Sequence, residues 1–201
     1  LVQKKIAFPI KPFYESYQNI MEEDIFDTHD ELPFVIVGSG LAAVEIAFAL
    51  RKRWKHRSLI LVCELQKLSD KFIFWLQKYK IILKPKINFN YKKILLCTGN
   101  APHPWIENNY LRLDSRGRII TNSDLRSGQF SNIYAIGDCA YSGKSQLNSS
   151  GILAVKAVKR LSENIKNNLN KRRLKKWYPQ KKGLQIVNLF NDSNQSAFAI
   201  Y

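Results

Sequence analysis

The sequence is poor in cysteine, in acidic residues and in long apolar runs. Its three cysteines, Cys63, Cys97 and Cys139, lie at least 34 residues apart, so they form neither a CxxC redox pair nor a zinc knuckle. Without a disulfide framework, a reducing cytoplasm is the expected compartment. No apolar stretch approaches the roughly 18–20 residues that cross a bilayer. The N-terminus lacks the apolar region of a secretory signal.

Metal-ligand patterns are also missing. The three histidines, His29, His56 and His103, are scattered without ligand spacing, so the sequence predicts no metal site. Hydrophobic residues nevertheless make up 45% of the 201 residues. That content is enough for the buried core of one ordinary domain, or of one and a half small ones.

Positive charge is present in excess and is unevenly placed. The chain has 32 Lys and Arg residues against 16 Asp and Glu, a net charge of +16. Eleven basic residues and one acid, Glu163, lie between Lys156 and Lys182. This segment indicates either an anionic membrane or nucleic-acid surface, or a solvated helix face. No RNA-binding, zinc-finger or glycine-arginine motif accompanies it, which disfavours nucleic acid.

Hydrophobic periodicity predicts alternating strands and helices, an α/β pattern. After an extended lead-in over 1–13, the predicted helices are 14–27, 41–54, 72–79 and an amphipathic one over 149–170. Predicted strands are 34–37, 58–64, 94–97, 117–121 and 132–138, and 184–190 with 196–200 form a hairpin. The first of these strands, FVIV, is continuously apolar, which is typical of a parallel sheet buried on both faces.

The sequence GSGLAA, Gly38 to Ala43, fits the pattern GxGxxA between a predicted strand and a predicted helix. In such a turn the first glycine permits a tight bend and the second lets a pyrophosphate approach the helix N-terminus. The small third residue allows the helix to pack closely on the strand. Glu64 ends the next strand 24 residues after Gly40, near the distance at which an acid binds the ribose of NAD. A carboxylate there favours NAD(H) over NADP(H), although Lys67 is nearby; the alternative is a packing turn with an incidental surface acid.

Two further stretches are typical of flavoproteins. ILLCTGNAPHPWI (94–106) has an apolar strand followed by Thr98-Gly99 and a proline-rich exit. SNIYAIGDCA (131–140) delivers Gly137 and Asp138 after an apolar run, where an acid can accept a hydrogen bond from a flavin ribitol. Of the nine glycines in the chain, two alone have dinucleotide spacing, so there is one complete phosphate turn.

The order of these blocks resembles the FAD-dependent pyridine nucleotide-disulfide oxidoreductase superfamily, on its NADH-dehydrogenase-like branch. It resembles most closely the flavoprotein module fused in some bacteria to selenide, water dikinase, through FPIKPF (8–13), PHPWI (102–106) and the tail from Leu184. The resemblance implies a Rossmann-like NAD(H)-binding domain over 31–98. It also implies the C-terminal part of an FAD-binding domain over 99–201, with residues 1–30 leading in from the rest of that domain.

The resemblance also implies roles for individual residues. Gly38, Gly40 and Ala43 would hold the NADH pyrophosphate, and Glu64 the adenosine ribose. Glu45 would lie near the nicotinamide, or is simply a solvated acid on the helix. Further along, Thr98 and Gly99 would line the passage between the nucleotide domains, and Asp138, after Gly137, would bind the flavin ribitol.

Three parts of the family pattern are missing from the sequence. The first fingerprint, which binds the FAD pyrophosphate, is expected upstream of Leu1. The redox CxxC is absent, and Cys139 is expected to be a small packing residue rather than a nucleophile. About a dozen residues, 81–93, occupy the space of the family's β-meander.

Three functions follow as alternatives. The first is an NADH:acceptor oxidoreductase fragment that passes hydride from NADH to FAD and electrons onward to an acceptor such as a quinone. The second is a non-catalytic NAD(H)-binding module. The third is a basic protein whose helix over 149–170 contacts RNA or the inner face of a membrane. No catalytic side chain is assigned in any of them.

Overall fold

The computed structural model describes residues 7–24, 33–87, 91, 93–99, 104–107, 110–142, 151–179, 185–189 and 197–200. The chain divides into two compact units. The first comprises Leu1–Gly99 with Ile186–Ile200, and the second comprises Asn100–Gln185 with Tyr201.

The first unit contains a parallel sheet flanked by helices. Its strands are β1 (Ala7–Pro9), β2 (Phe34–Val37), β3 (Leu59–Val62), β4 (Ile82–Lys84) and β5 (Lys93–Leu96). Its helices are α1 (Phe13–Met21), α2 (Leu41–Arg53) and α3 (Asp70–Lys78). The strand order is β1-β5-β2-β3-β4, and every pairing is parallel. This is the Rossmann-like α/β architecture that the sequence predicts, and the fold class is confirmed.

Both faces of the sheet are buried, which explains the continuous apolar runs. On β2, Phe34 and Ile36 pack into one core cluster together with Ala43 and Phe48 of α2. Val35, which points to the other face, packs into a second cluster with residues of β3 and β5. Side chains alternate along a strand, so one run of four residues supplies both clusters.

The helix ends follow local sequence signals. Ser69 is the N-cap of α3, and its hydroxyl accepts a hydrogen bond from the Phe72 amide at 3.4 Å. α2 ends in three basic residues, Arg51, Lys52 and Arg53, which suit the negative end of the helix dipole. The helix predicted over 14–27 ends earlier, at Met21, and residues 25–27 lie outside the described residues.

Charged residues join the end of α1 to the segment after α2. Glu23 is buried and forms an ion pair with the buried guanidinium of Arg57 at 2.8 Å. The Lys93 ammonium is 3.3 Å from the other oxygen of Glu23. Arg57 also lies over the rings of Phe34 and Trp54, at 5.3 and 4.9 Å from their centroids. The carboxylate therefore anchors α1 next to the first residues of β2 and β5.

The second unit is built from α4 (Pro104–Glu107), β6 (Ile119–Thr121), β7 (Ala140–Ser142) and α5 (Gly151–Leu169). β6 and β7 pair in parallel, and Ile106, Ile119 and Ala135 form the buried core cluster beside them. The remaining strands, β8 (Gln185–Asn188) and β9 (Ala197–Ile200), pair with each other as the hairpin prediction requires. Val187 and Leu189 are buried in the core of the first unit.

The basic segment over residues 172–179 packs against α5. The Asn164 side chain, fully buried, donates hydrogen bonds to the carbonyls of Asp124 and Lys175, each at 2.8 Å. Its oxygen accepts from the Lys175 amide at 2.8 Å, and the Trp177 amide donates to the carbonyl of Ser123 at 2.7 Å. These bonds hold residues 172–179, which contain no helix or strand, in a defined path.

The amphipathic helix is confirmed, but its predicted apolar face is largely exposed within the described residues. Val155, Val158 and Leu169 are 72%, 52% and 79% exposed, whereas the buried side chains are Ala157 and Asn164. Elsewhere the structure also departs from the sequence. Part of the lead-in, Ala7–Pro9, is the edge strand of the sheet. An edge strand pairs on one side alone, so it tolerates a proline.

The strand predicted over 132–138 does not form. Tyr134 makes an isolated bridge to Arg126, and Gly137–Cys139 form a 3-10 turn before β7. The physical reason lies at Gly137, whose φ of +73° interrupts the extended conformation.

Candidate nucleotide-binding site

The glycine turn connects the carboxyl end of β2 to the start of α2. The Gly38 amide donates to the Val62 carbonyl at 2.9 Å, and the Cys97 amide donates to the Val37 carbonyl at 2.7 Å. The turn thus lies between the ends of β3 and β5. In open parallel sheets, ligands bind at this carboxyl edge.

Gly38 is required by the backbone itself. Its φ is +150°, and a Cβ atom at this position would lie 2.4 Å from the carbonyl oxygen of Cys97. No side chain fits there without moving β5 or the turn. The first glycine of the pattern therefore has the tight-turn role that the sequence predicts for it.

Gly40 has the opposite environment. A Cβ atom built on it meets nothing within 4 Å, and its φ of −87° is open to any residue. Gly40 is the N-cap of α2, which has no side-chain cap and no acid in its first turn. Open space beside an uncapped helix N-terminus fits an anionic ligand such as a pyrophosphate. Ala43 is fully buried and lets α2 pack closely on the sheet.

Glu64 lies at the neighbouring strand end and is tied to the turn. Its backbone amide donates a hydrogen bond to the Ser39 hydroxyl at 2.8 Å. Its carboxylate is exposed and forms an ion pair with Lys67 at 2.5 Å. Sequence reasoning missed Ser39, because the middle position of GxG carries no requirement in the motif and the contact spans 25 residues.

Glu45, on α2, is half-buried. One of its carboxylate oxygens accepts a hydrogen bond from the Asn188 amide at 3.4 Å, so the side chain contacts β8. The sequence pattern gave no indication that a C-terminal strand reaches this helix, because the two residues are 143 positions apart.

Thr98 and Gly99 follow β5 at the same edge of the sheet and are exposed. Gly99 has a φ of +126° with open space where a side chain would be. The cysteines here are buried rather than reactive. Burial raises the pKa of the Cys97 thiol to about 12 and also raises the pKa of Cys63.

Gly137 and Asp138 belong to the second unit. A Cβ on Gly137 would lie 3.2 Å from the Cβ of Ala154, so the first turn of α5 packs directly against this glycine. Asp138 is exposed in the 3-10 turn that follows. An exposed carboxylate beside a helix start fits the hydroxyl-binding role expected for it, although it stands in a turn and not at a strand tip.

Among the described residues, no three His, Cys, Asp or Glu side chains come together as a metal ion requires. Within the same ranges, no helix combines the length and apolar character needed to cross a membrane.

Comparison with known proteins gives a family match. Residues 61–167 match the family model described as pyridine nucleotide-disulphide oxidoreductase. This range contains Glu64, Thr98, Gly99, Gly137 and Asp138 and begins after the glycine turn. A curated protein of Dictyostelium discoideum named probable NADH dehydrogenase is 35% identical over 60 residues, which are 30% of this chain and 13% of that protein.

Two solved structures have a similar fold. The reduced CoADR-RHD of Bacillus anthracis superposes with a TM-score of 0.65 at 15% identity, over 92% of this chain and 37% of that one. An engineered water-forming NADPH oxidase (TPNOX) bound to NADPH gives a TM-score of 0.61 at 16% identity, over 94% of this chain and 46% of that one. This chain therefore spans less than half the length of each of these relatives.

Proposed function

Because the chain belongs to the pyridine nucleotide-disulphide oxidoreductase family, we propose that it binds NADH and acts within an FAD-dependent NADH:acceptor oxidoreductase. Its residues would form the nicotinamide half and the C-terminal part of the flavin half. Within the family, the sequence resemblance favours the NADH-dehydrogenase-like branch and the module fused to selenide, water dikinase.

One observation carries the proposal. The open space beside Gly40 lies at the uncapped start of α2, and an acid, Glu64, stands at the next strand end. The Ser39–Glu64 hydrogen bond fixes the two positions to each other. The first position suits two linked phosphates and the second a ribose diol, in the order that an adenine dinucleotide presents them.

The other residues have roles that follow from their positions. Thr98 and Gly99 would border the bound dinucleotide at the end of β5. Glu45 would be oriented by its contact with the Asn188 amide, toward the nicotinamide side of the helix. In the second unit, Asp138 would accept a hydrogen bond from the flavin ribitol, and Gly137 would leave room for the ligand chain. When bound, FAD supplies the hydride acceptor for NADH and a route for electrons to an oxidant such as a quinone.

The test is coenzyme binding by the purified chain. Gly40→Arg places a long side chain in the open space at the start of α2. Gly128→Arg adds the same side chain at an exposed glycine of the second unit, where the nearest atom to a Cβ is 3.8 Å away. We expect NADH fluorescence titration to give similar Kd values for the wild type and Gly128→Arg, and a loss of at least about tenfold for Gly40→Arg. Undiminished binding by a folded Gly40→Arg variant would refute the site.

The same preparation separates an oxidoreductase from a non-catalytic NAD(H)-binding module. Reconstitution with FAD, followed by desalting, leaves the yellow colour of bound flavin on the protein if the second unit binds it. Bleaching of that colour by NADH under anaerobic conditions indicates hydride transfer. NADH binding without retained colour favours the module.

A second candidate function follows from the exposed apolar residues of α5. Two exposed valines, Val155 and Val158, alternate along α5 with the exposed lysines Lys156 and Lys159. Leu169, at the end of the helix, is exposed as well. Aliphatic side chains beside positive charge suit the headgroup region of an anionic bilayer. This candidate is peripheral contact with the cytoplasmic face of a membrane.

Vesicle sedimentation tests that contact. We expect binding to vesicles with anionic lipid, weaker binding to neutral vesicles, and a marked loss in Val155→Asp. Leu174→Asp, in the segment beside α5, is the control for added charge. Equal sedimentation of wild type and Val155→Asp would eliminate the membrane candidate.

A further inference from the structure

The acid at the end of β3 is paired with a cation from its own turn. A 3-10 turn over Leu65–Lys67 follows Glu64, and the Lys67 amide donates to the Glu64 carbonyl at 2.9 Å. This turn brings the Lys67 ammonium to 2.5 Å from one carboxylate oxygen of Glu64. The side-chain amide of Gln66 donates a hydrogen bond to the other carboxylate oxygen at 3.4 Å.

The pair changes the charge that a coenzyme meets. A lone carboxylate at this position accepts a hydrogen bond from the ribose 2′-hydroxyl of NADH and repels the 2′-phosphate of NADPH. With Lys67 in contact, the local charge is close to zero, and the ammonium is a ready partner for a phosphate. Lys84, at the end of the adjacent strand, is directed elsewhere, because its ammonium donates to the Tyr91 hydroxyl at 3.0 Å and lies over that ring.

We propose that Lys67 determines coenzyme preference, so that the ribose subsite of this chain accepts NADPH as well as NADH. With NADH, the Glu64 carboxylate binds the ribose diol while Lys67 offsets its charge. With NADPH, the ammonium leaves the carboxylate and pairs with the 2′-phosphate. Both side chains are about half exposed, 59% for Lys67 and 52% for Glu64, so this exchange requires no change in the backbone. The inference rests on the dinucleotide site of the proposed function.

Exposure also limits the size of the effect. At an effective dielectric between that of a protein surface and that of water, one unit charge about 5 Å away changes an affinity by roughly tenfold at low salt. Salt weakens this contribution, so the effect of Lys67 on the relative affinities for NADPH and NADH should diminish as ionic strength rises.

The experiment measures Kd for NADH and for NADPH with wild type, Lys67→Gln and Glu64→Gln at low salt. Lys52→Gln is the matched control, because Lys52 is an exposed lysine near the opposite end of α2, roughly 18 Å along the helix from Gly40. We expect wild type to bind the two coenzymes within about tenfold of each other. Lys67→Gln should weaken NADPH about tenfold with little change for NADH, and Glu64→Gln should weaken NADH and strengthen NADPH.

The outcomes separate this inference from the site on which it depends. If wild type binds NADH but the ratio of the Kd for NADPH to the Kd for NADH is the same in Lys67→Gln and Lys52→Gln, the role of Lys67 is refuted. The dinucleotide site then stands. If wild type binds neither coenzyme, the proposed function fails and this inference fails with it. A ratio that shifts in Lys67→Gln and shifts less at high salt supports it.

Discussion

The hydroxyl of Ser39 accepts a hydrogen bond from the backbone amide of Glu64 at 2.8 Å. This contact joins the glycine turn after β2 to the loop after β3, the two places where a dinucleotide would place its phosphates and its ribose. This hydrogen bond fixes the spacing of the turn and the loop within the protein itself.

Ser39→Ala should therefore weaken the binding of NADH. The loss of one hydrogen bond costs about 1 kcal/mol, and we expect roughly a fivefold rise in the Kd for NADH. Ser69→Ala is the control, since Ser69 caps α3 and its removal should lower stability by about 1 kcal/mol without changing the Kd. Equal Kd values for wild type and Ser39→Ala would contradict the coupling.

The two glycines of the turn should respond differently to the same methyl group. Gly38→Ala puts a Cβ 2.4 Å from the Cys97 carbonyl oxygen at a φ of +150°, and we expect a loss of at least about 3 kcal/mol in the free energy of unfolding. Gly40→Ala meets no atom within 4 Å and should change stability by less than about 1 kcal/mol. Urea denaturation followed by circular dichroism measures both, and similar losses for the two variants would contradict the geometry.

Much of the sheet could be predicted because its residues carry the information locally. The residues of β2 and β3 are apolar on both faces, which is typical of parallel strands that are covered on both sides. Both strands lie at the predicted positions. β1 was missed because three residues, AFP, are too short for periodicity and carry a proline. The 132–138 prediction was wrong because an apolar run does not reveal a positive φ at its end.

The candidate site divides in the same way. The glycine turn was predictable because the spacing of Gly38 and Gly40 between an apolar strand and a helix is a local sequence pattern. Ser39 and the Glu45–Asn188 contact depend on residues 25 and 143 positions apart, and no local pattern encodes them. Predictions from sequence therefore found the turn and missed the contacts that fix it in place.

The buried carboxylate of Glu23 should be the costliest single charge to remove from the first unit. Glu23→Gln removes a carboxylate charge that both Arg57, 2% exposed, and the Lys93 ammonium contact. Breaking a buried pair in this manner costs about 3–5 kcal/mol. Arg53→Gln is the control, because the Arg53–Asp24 pair is 45% and 36% exposed and should contribute less than about 1 kcal/mol. Urea midpoints that do not separate the two variants would contradict this assignment.

The three thiols should differ in reactivity with iodoacetamide near neutral pH. The thiolate is the nucleophile, and burial raises the pKa of Cys97 to about 12 and raises that of Cys63, so both remain protonated. Cys139 is half-buried. We expect mass spectrometry of the native protein to find Cys139 alkylated first, and all three to react in urea. Early labelling of Cys97 would contradict its burial at the end of β5.

Asn164 should control the exposure of the basic segment beside α5. Asn164→Ala removes three hydrogen bonds of 2.8 Å and leaves the carbonyls of Asp124 and Lys175 without this partner. Residues 172–176 contain four trypsin sites, at Arg172, Arg173, Lys175 and Lys176. A protease needs an extended, released chain, so we expect limited trypsin cleavage there to become roughly tenfold faster in the variant.

Asn170→Ala is the matched control for that experiment. Asn170 is exposed, and its side chain donates to the carbonyl of Lys166, one helical turn earlier. Removing it leaves the path of residues 172–179 unchanged, so the cleavage rate should stay at the wild-type value. Equal rates in Asn164→Ala and Asn170→Ala would mean that the backbone bonds of Trp177 and Arg172 hold the segment without the buried amide.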